Sequence, residues 1–552
     1  MASQTSDTTS ILLIGFQDQD NLGLRYLMSS VQQAGFRAQI VTYQANPMPL
    51  VELMHRERPD IIGFSLIFQY MAPDFGQVIQ ALRESGVTAH ITMGGHYPSF
   101  DYAEVLQRVP GLDSIVRFEG EPTLVELMEK IRAGEDWRTV QGIAFRSGDD
   151  IVATPLRPSV ADLDTLPWPY RDDIDYHAHE LPTASVLGSR GCPWDCSFCS
   201  IRPFYEAQEG PLRRMRRPEA IVAEIAAIHR ERGVPVFLFQ DDDFLGGGRR
   251  AREWACAIAE GLIQGGLAGK VAFKVSCRSD EIDPDCLRQL IGGGLTHIYM
   301  GVENGDAQGL INMSKRIKPE QHLRAGRILK ELGLSFDFGF MLLDPYSTFD
   351  MVRNNISFLE TFVGDGWAVA SFCRMLPYAG TPVKAKLERE GRLLGTAFEP
   401  DYRFLDPKLD IFYDWMLETF HERNFTNRGL CHILKSMLFE ARLRLPEHQC
   451  FDDFDRSYVQ HLTAVCNGLA CYTLRTAVDY LVATPLDTIQ HDRSFLQQLT
   501  RHEHAEEARL LREVVDFYWS VRQRRELRSN DKALQMVGGF ERSWTLAEPT
   551  PS

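Results

Sequence analysis

The sequence predicts an α/β protein with two successive sheet-forming halves and a helical C-terminal region. Short apolar runs alternate with helical patterns from residue 11 to about residue 140, and the alternation resumes at residue 183. Alternating strands and helices are typical of parallel sheets covered by helices. After residue 386 the strand pattern is lost and apolar residues recur at helical spacing.

The composition of the chain limits the classes of molecule that it is expected to bind. The 552 residues are enough for several domains, and the net charge of −16 argues against a general binder of nucleic acid or anionic membranes. No apolar run reaches the ~18 residues that a spanning helix requires. The first residues, MASQTSDTTS, show no secretory signal, and scattered unpaired cysteines fit a reducing compartment. We therefore expect a cytoplasmic protein without a membrane or nucleic-acid partner.

The first half, residues 1–145, is predicted to form a Rossmann-like, doubly wound sheet. Ligands of such sheets bind at the carboxyl ends of the strands. The predicted strands are residues 11–15, 38–43, 60–67, 90–95 and 114–118.

Polar and small residues follow these strands at a distinctive spacing. The segment D-Q-D-N-L-G (18–23) comes first, Ser65-Leu66-Ile67 follows after 41 residues, and Gly94-Gly95 after a further 26. Small residues here let the backbone approach a long nucleotide tail. The pattern resembles the D-x-H-x-x-G, S-x-L and G-G motifs of cobalamin-binding domains, although Asp20 stands where their cobalt-ligating histidine would be and Ile67 replaces a leucine.

The resemblance implies a cobalamin site that lacks a histidine below the cobalt. A carboxylate is a hard ligand and a poor substitute for imidazole on cobalt. The alternative is a domain that kept this fold and lost the cofactor. The predicted cobalamin-binding residues are Asp18, Gln19, Asp20, Asn21, Gly23, Ser65, Leu66, Gly94, Gly95, His96 and Glu119.

Residues 146–182 are predicted to link the two halves. A hairpin pattern covers residues 141–155, and Pro167 and Pro169 favour an extended connector over a helix.

Three cysteines then lie within eight residues: Cys192, Cys196 and Cys199, in GSRGCPWDCSFCS. Three thiolates at C-x3-C-x2-C spacing can hold three corners of a [4Fe-4S] cube and leave its fourth iron open. A structural zinc site wants four ligands, usually as paired C-x2-C units, and the sequence has no second pair. A zinc protein or scaffold remains the alternative from another class.

With Phe198 before the last cysteine, the motif resembles that of radical S-adenosylmethionine (SAM) enzymes. In that family SAM chelates the open iron. An electron from the cluster then cleaves SAM, which gives a 5'-deoxyadenosyl radical. The resemblance implies three cofactors, a [4Fe-4S] cluster, SAM and cobalamin (as methylcobalamin), and an electron donor such as flavodoxin or ferredoxin. It also implies a partial (β/α)6 barrel over residues 183–385. The predicted barrel strands are residues 184–189, 237–240, 271–276, 297–302, 336–342 and 368–376.

Working residues of barrels sit at the carboxyl ends of strands. An aspartate run follows the second strand, although aspartates also cap helices. The segment G-V-E-N-G (301–305) resembles the family's G-x-E-S-G element. The predicted SAM-binding residues are Phe198, Asp241, Asp242, Ser276, Arg278 and Glu303.

Residues 386–552 are predicted to form a helical substrate or cap domain over the barrel mouth, which would exclude water. The predicted function is methyl transfer to an unactivated carbon or phosphorus centre of a small metabolite or peptide. The resemblance implies that one SAM supplies the methyl group through cobalamin and a second supplies the radical. The alternatives are a cobalamin-assisted rearrangement, ring contraction or cyclisation, and a radical SAM enzyme with an empty first domain.

Overall fold

The computed structural model describes residues 9–17, 20–171, 177–178 and 181–528. The predicted cobalamin ligands Asp18 and Gln19 lie outside these residues. Every helix within the described ranges is too short or too polar to span a lipid bilayer.

A seven-stranded sheet forms the first half, in the order β2-β1-β3-β4-β5-β6-β7. Its strands are β1 Ser10–Gly15, β2 Arg37–Thr42, β3 Ile61–Ser65, β4 His90–Gly94, β5 Ser114–Val116, β6 Ile143–Ser147 and β7 Asp150–Ala153. Its helices are α1 Leu22–Gln33, α2 Met48–Glu57, α3 Ala72–Glu84, α4 His96–Phe100, α5 Tyr102–Arg108 and α6 Glu121–Ala133.

The five predicted strands pair in parallel, so the predicted doubly wound sheet is confirmed. Strand β1 is buried on both faces, as expected for a central strand covered by helices on both sides. The hairpin β6–β7 adds to the sheet in antiparallel fashion, so the sheet continues beyond residue 145, where the sequence suggested its end.

The second half is an open barrel sheet in the order β16-β15-β14-β13-β12-β9-β8. Its strands, with the short ribbon β10–β11, are β8 His177–Ala178, β9 Leu181–Val186, β10 Ser189–Arg190, β11 Arg214–Met215, β12 Val236–Phe239, β13 Ala272–Arg278, β14 Leu295–Glu303, β15 Ser335–Leu343 and β16 Cys373–Arg374. Its helices are α7 Ile201–Glu206, α8 Pro218–Arg232, α9 Arg249–Gln264, α10 Pro284–Gly293, α11 Ala307–Asn312, α12 Pro319–Glu331 and α13 Phe349–Val363. Strands β9 and β12 to β16 run parallel in chain order, which confirms the predicted six-stranded partial barrel.

The C-terminal region is helical, as predicted, after one short hairpin. Its elements are α14 Pro382–Arg389, β17 Leu393–Gly395, β18 Pro400–Tyr402, α15 Pro407–Phe425, α16 Leu430–Ala441, α17 Asp453–Ala483, α18 Leu486–His491 and α19 Ser494–Arg528.

Helix α16 and the turn after it cover the amino ends of the barrel strands. Phe439 and Leu443 form an apolar cluster with Leu181, Val236 and Ala272, which begin strands β9, β12 and β13. This segment therefore closes the floor of the barrel, whereas the sequence suggested a cap over the opposite end. Helical periodicity marks an apolar face but carries no information on which apolar surface that face will cover.

A buried charge network joins the first half to the barrel at Asp20. The carboxylate pairs with Arg25 and with Arg171 (3.1 Å), and it accepts a hydrogen bond from the backbone N–H of Ser185 in β9 (2.8 Å). Arg171 in turn donates to the Ser185 carbonyl (2.7 Å). The prediction that Asp20 contacts cobalamin is therefore corrected, because its carboxylate is already engaged in holding the edge of β9.

We predict that Asp20→Asn lowers the free energy of unfolding by about 3–5 kcal/mol, because the substitution removes the buried negative charge that Arg25 and Arg171 share, although Arg171 keeps its second partner Glu224 (2.9 Å). Urea titration of the variant measures the change. The matched control is Glu57→Gln in the exposed Arg56–Glu57 pair, for which we expect a change below about 0.5 kcal/mol. Equal effects of the two substitutions would contradict a structural role for Asp20.

Candidate active site

A cavity of about 300 Å³ lies between the carboxyl ends of the first sheet and the barrel. One wall includes Ser65 and Gly94 at the ends of β3 and β4, and the opposite wall includes Gln240 and Asp242 after β12. Residues that the sequence assigned to two different ligands therefore face one shared space.

The turn after β4 forms a smooth part of the cavity wall because it requires glycine. Gly95 has φ +115°, and a Cβ atom there would overlap the Leu66 carbonyl oxygen. A Cβ atom on Gly94 would lie 3.3 Å from the Val116 carbonyl oxygen. This side-chain-free cradle fits a long nucleotide tail laid against the sheet. Leu66 itself is fully buried and supports the turn from behind.

His96 follows this turn and connects it to the cysteine loop. Its ring stacks on Phe204, with centroids 4.5 Å apart, and its Nε2 lies 2.8 Å from Ser200 Oγ. Burial lowers the pKa of His96 to about 4, so the ring is neutral near pH 7. His96 was predicted to bind cobalamin, but its polar atom is used in a contact with the residue after Cys199.

Some of the remaining predicted cobalamin residues line the cavity, and others support the fold around it. Gly23 lines the cavity, whereas Asn21 caps helix α1 by accepting a hydrogen bond from Leu24 N–H (3.2 Å). Glu119 also lines the cavity, but Arg190 (3.1 Å) and Arg214 (2.7 Å) bind its carboxylate. Burial alone would raise the pKa of Glu119, and the two arginines outweigh it and hold that pKa below its ordinary value.

The loop that carries the three cysteines begins with a required glycine. Gly191 has φ +90°, and a Cβ atom there would overlap the Leu212 carbonyl oxygen. Its N–H donates to Asp242 (2.8 Å), which ties the loop to the end of β12. The backbone conformation of Gly191 and its hydrogen bond to Asp242 therefore fix the direction in which the loop leaves the barrel sheet.

Burial raises the pKa of all three thiols, Cys192, Cys196 and Cys199, above the ordinary value. Two of the sulfurs nevertheless accept hydrogen bonds: Cys196 from Arg278 Nη1 (3.7 Å) and Cys199 from Ile201 N–H (3.5 Å). Bound iron supplies the positive charge that a buried thiolate needs. The donor set therefore fits an iron–sulfur cluster.

Among the residues that the structure describes, no three His, Cys, Asp or Glu side chains converge on one point as a single metal ion requires. In an iron–sulfur cube each cysteine binds a different iron, so the thiols stand further apart.

Two predicted SAM residues brace this loop. Asp241 is buried, and its carboxylate accepts hydrogen bonds from Gly188 N–H (2.9 Å) and from the Ser189 hydroxyl. Arg278 stacks on Trp194, with its guanidinium carbon 4.1 Å from the ring centroid, and also donates to the Lys315 carbonyl (2.7 Å). Because these polar groups already have protein partners, both residues hold the cysteine loop in place.

The other predicted SAM residues have accessible surface. Asp242 lines the cavity, and Ser276 and Phe198 are partly exposed. Glu303 ends strand β14 with φ +68°, a left-handed conformation that non-glycine residues rarely adopt outside functional sites. Its carboxylate lies 3.3 Å from the ammonium of Lys315.

Several site residues carried no signal in the sequence. Lys315 contacts both Glu303 and the ring of Phe198 (5.8 Å to the centroid) yet belongs to no motif. Tyr205 lines the cavity, and burial raises the pKa of its phenol far above the ordinary value, so it stays protonated. Tyr205 belongs to the six-residue helix α7, where one aromatic residue is indistinguishable from an ordinary core residue.

Comparisons with known proteins agree with this arrangement. Residues 15–128 match the B12 binding domain family, and residues 186–359 match the Radical SAM superfamily. An uncharacterized methyltransferase of Pyrococcus horikoshii is 27% identical over 429 residues, which is 77% of this chain and 88% of that protein. The anaerobic magnesium-protoporphyrin IX monomethyl ester cyclase of Cereibacter sphaeroides is 28% identical over 332 residues, which is 57% of this chain and 52% of the cyclase. The chain thus spans about half the length of that cyclase.

The fold has a solved counterpart in the cobalamin-dependent SAM radical enzyme OxsB, determined with aqua-cobalamin and SAM bound. The two structures superpose with a TM-score of 0.70 at 16% identity, over 92% of this chain and 80% of OxsB. The fold and the two family matches together confirm the resemblance noted from the motifs. The chain therefore combines a B12-binding domain with a radical SAM domain.

Proposed function

We propose that this enzyme methylates an unactivated carbon or phosphorus centre of a small metabolite or peptide. One observation carries the proposal: a single cavity is lined by the glycine turn of the B12-binding domain and by Asp242, which holds the cysteine loop. When bound, the cluster with SAM supplies a 5'-deoxyadenosyl radical and cobalamin supplies a methyl carrier. A substrate held between them would be within reach of both.

The protein's own residues would position the cofactors and shield the reacting centre. Cys192, Cys196 and Cys199 would hold the cluster, and the ion pair of Glu303 with Lys315 would orient the amino and carboxylate groups of SAM. Gly94 and Gly95 would receive the nucleotide tail of cobalamin. Because Asp20 is committed to Arg25 and Arg171, it would not take part in holding the cobalamin.

A second candidate is radical cyclisation without methyl transfer. The observation in its favour is the likeness to the magnesium-protoporphyrin cyclase of Cereibacter sphaeroides. The two candidates differ in the fate of the methyl group of SAM, so a product analysis separates them.

We predict that reconstituted, cobalamin-loaded enzyme, given reductant, methyl-deuterated SAM and a mixture of cellular metabolites, forms both S-adenosylhomocysteine and 5'-deoxyadenosine. Methyl transfer consumes one SAM for the methyl group and one for the radical, so both products accumulate together. Mass spectrometry should also find a product carrying the deuterated methyl group. Deoxyadenosine without S-adenosylhomocysteine would instead support the cyclisation candidate.

We predict that Cys192→Ala, Cys196→Ala and Cys199→Ala each abolish cluster assembly, because a cube held by only two protein thiolates loses its site. Iron and sulfide analysis after anaerobic reconstitution measures this. Cys256→Ala is the matched control, since Cys256 lies on helix α9 and its sulfur contacts Cys286 Sγ (3.5 Å). Full iron content in any of the three variants would refute the assignment of that cysteine.

We predict that Gly94→Leu reduces bound cobalamin per chain at least tenfold, because the side chain would fill the cradle beneath the cofactor. The absorbance of cobalamin in purified protein measures the loading. Gly468→Leu is the control, because a Cβ atom at Gly468 in helix α17 meets nothing within 4 Å. Cobalamin content equal to that of the control would place the cofactor elsewhere.

A further inference from the structure

The interior of the barrel is open near its floor. On the central strands Lys274, Tyr299 and Asp337 have accessible surface, whereas the residues next to them in sequence are buried. Side chains alternate between the two faces of a strand, so these three residues share the inner face. Tyr299 pairs with Asp337 in the register of β14 and β15 and is 39% exposed. An interior packed with side chains would leave no such surface.

Lys274 places an unpaired ammonium in this space. Its Nζ lies 5.8 Å from the centroid of the Tyr299 ring, and no carboxylate of the described chain lies within 4.0 Å of it. Burial lowers the pKa of Lys274 below its ordinary value. An enclosed ammonium without a carboxylate at ion-pair distance is costly, and a bound anion would offset that cost.

A second ammonium group reaches the barrel interior from helix α16, which covers the amino ends of the barrel strands. Lys435 extends from helix α16, and its Nζ donates to Ser371 Oγ (2.8 Å). The carboxylate of Asp337 interacts electrostatically with both lysines, and its Oδ2 lies 3.4 Å from His297 Nε2. Burial alone would raise the pKa of Asp337, but His297, Lys435 and Lys274 hold it below its ordinary value, so the group stays ionised.

The charges on the floor therefore do not balance. When both Lys274 and Lys435 are protonated, two positive charges face the single negative charge of Asp337. The carboxylate of Glu303, at the carboxyl end of β14, is paired with Lys315 (3.3 Å) and does not compensate them. A bound anion would supply the second negative charge that Asp337 alone does not provide for the two lysines.

We propose that Lys274 and Lys435 bind an acidic group of the substrate, a carboxylate or a phosphate, at the base of the barrel. The identity of the bound molecule as substrate rests on the proposed function. Glu303 stands four residues beyond Tyr299 on β14, which is about 13 Å along a strand. The substrate class is thus a molecule with an acidic group at one end and its reacting centre about that far away.

The test is calorimetric titration of the reconstituted full-length protein, with cluster, cobalamin and SAM bound, using inorganic phosphate and acetate separately as probes. We expect the wild type to bind at least one of the two anions. Lys274→Met keeps the apolar stem and removes the charge, and we expect it to weaken binding at least tenfold. Lys270→Met, at an exposed position just before β13, should remain within twofold of the wild type.

Absence of anion binding in the wild type, or equal binding by wild type and Lys274→Met, overturns the proposal. If Lys274→Met fails to fold, Lys435→Met carries the same comparison with the same expected loss. Preference for phosphate indicates a phosphorylated substrate, and preference for acetate a carboxylic acid. The titration needs no turnover, so failure of anion binding and failure of methyl transfer are separate results.

Discussion

The active site depends on how the B12-binding domain is fixed to the barrel. Two sets of buried ion pairs do this: Asp20 with Arg25 and Arg171, and Glu119 with Arg190 and Arg214. Buried ion pairs of this kind are weak evidence for net stability. They are nevertheless specific, because a docking geometry that left one charge unpaired would be energetically costly. They therefore act chiefly by allowing one docking geometry, in which the cavity is shared by both halves.

The fold and the cofactor classes could be predicted because they follow from local spacing. The cysteine loop places its ligands within one short segment, and the glycine turn requires residues without a Cβ at Gly94 and Gly95. The alternation of strands and helices predicted both parallel sheets, although not the order of the strands within them. Each of these signals is contained in a continuous stretch of chain.

The residue roles were harder to predict because they depend on partners distant in sequence. Asp241 and Arg278 stand at strand ends where ligand contacts are expected, yet each binds the cysteine loop. Helix α16 shows an apolar face in the sequence, but only packing reveals that it covers the strand beginnings. Lys315 reaches Glu303 through a loop that has no motif. The sequence predicted where a residue stands in a strand or helix, but not which other residue its side chain contacts.

The neutral ring of His96 has a consequence for cofactor loading. It follows the glycine turn directly and contacts Ser200 beside the last cysteine, so one side chain connects the glycine turn to the cysteine loop. A cofactor that fixed one of these two loops would also fix His96 and would thereby act on the other loop. By thermodynamic reciprocity, each cofactor then raises the affinity for the other by the same factor. Loading of the two cofactors would then be coupled through this single side chain.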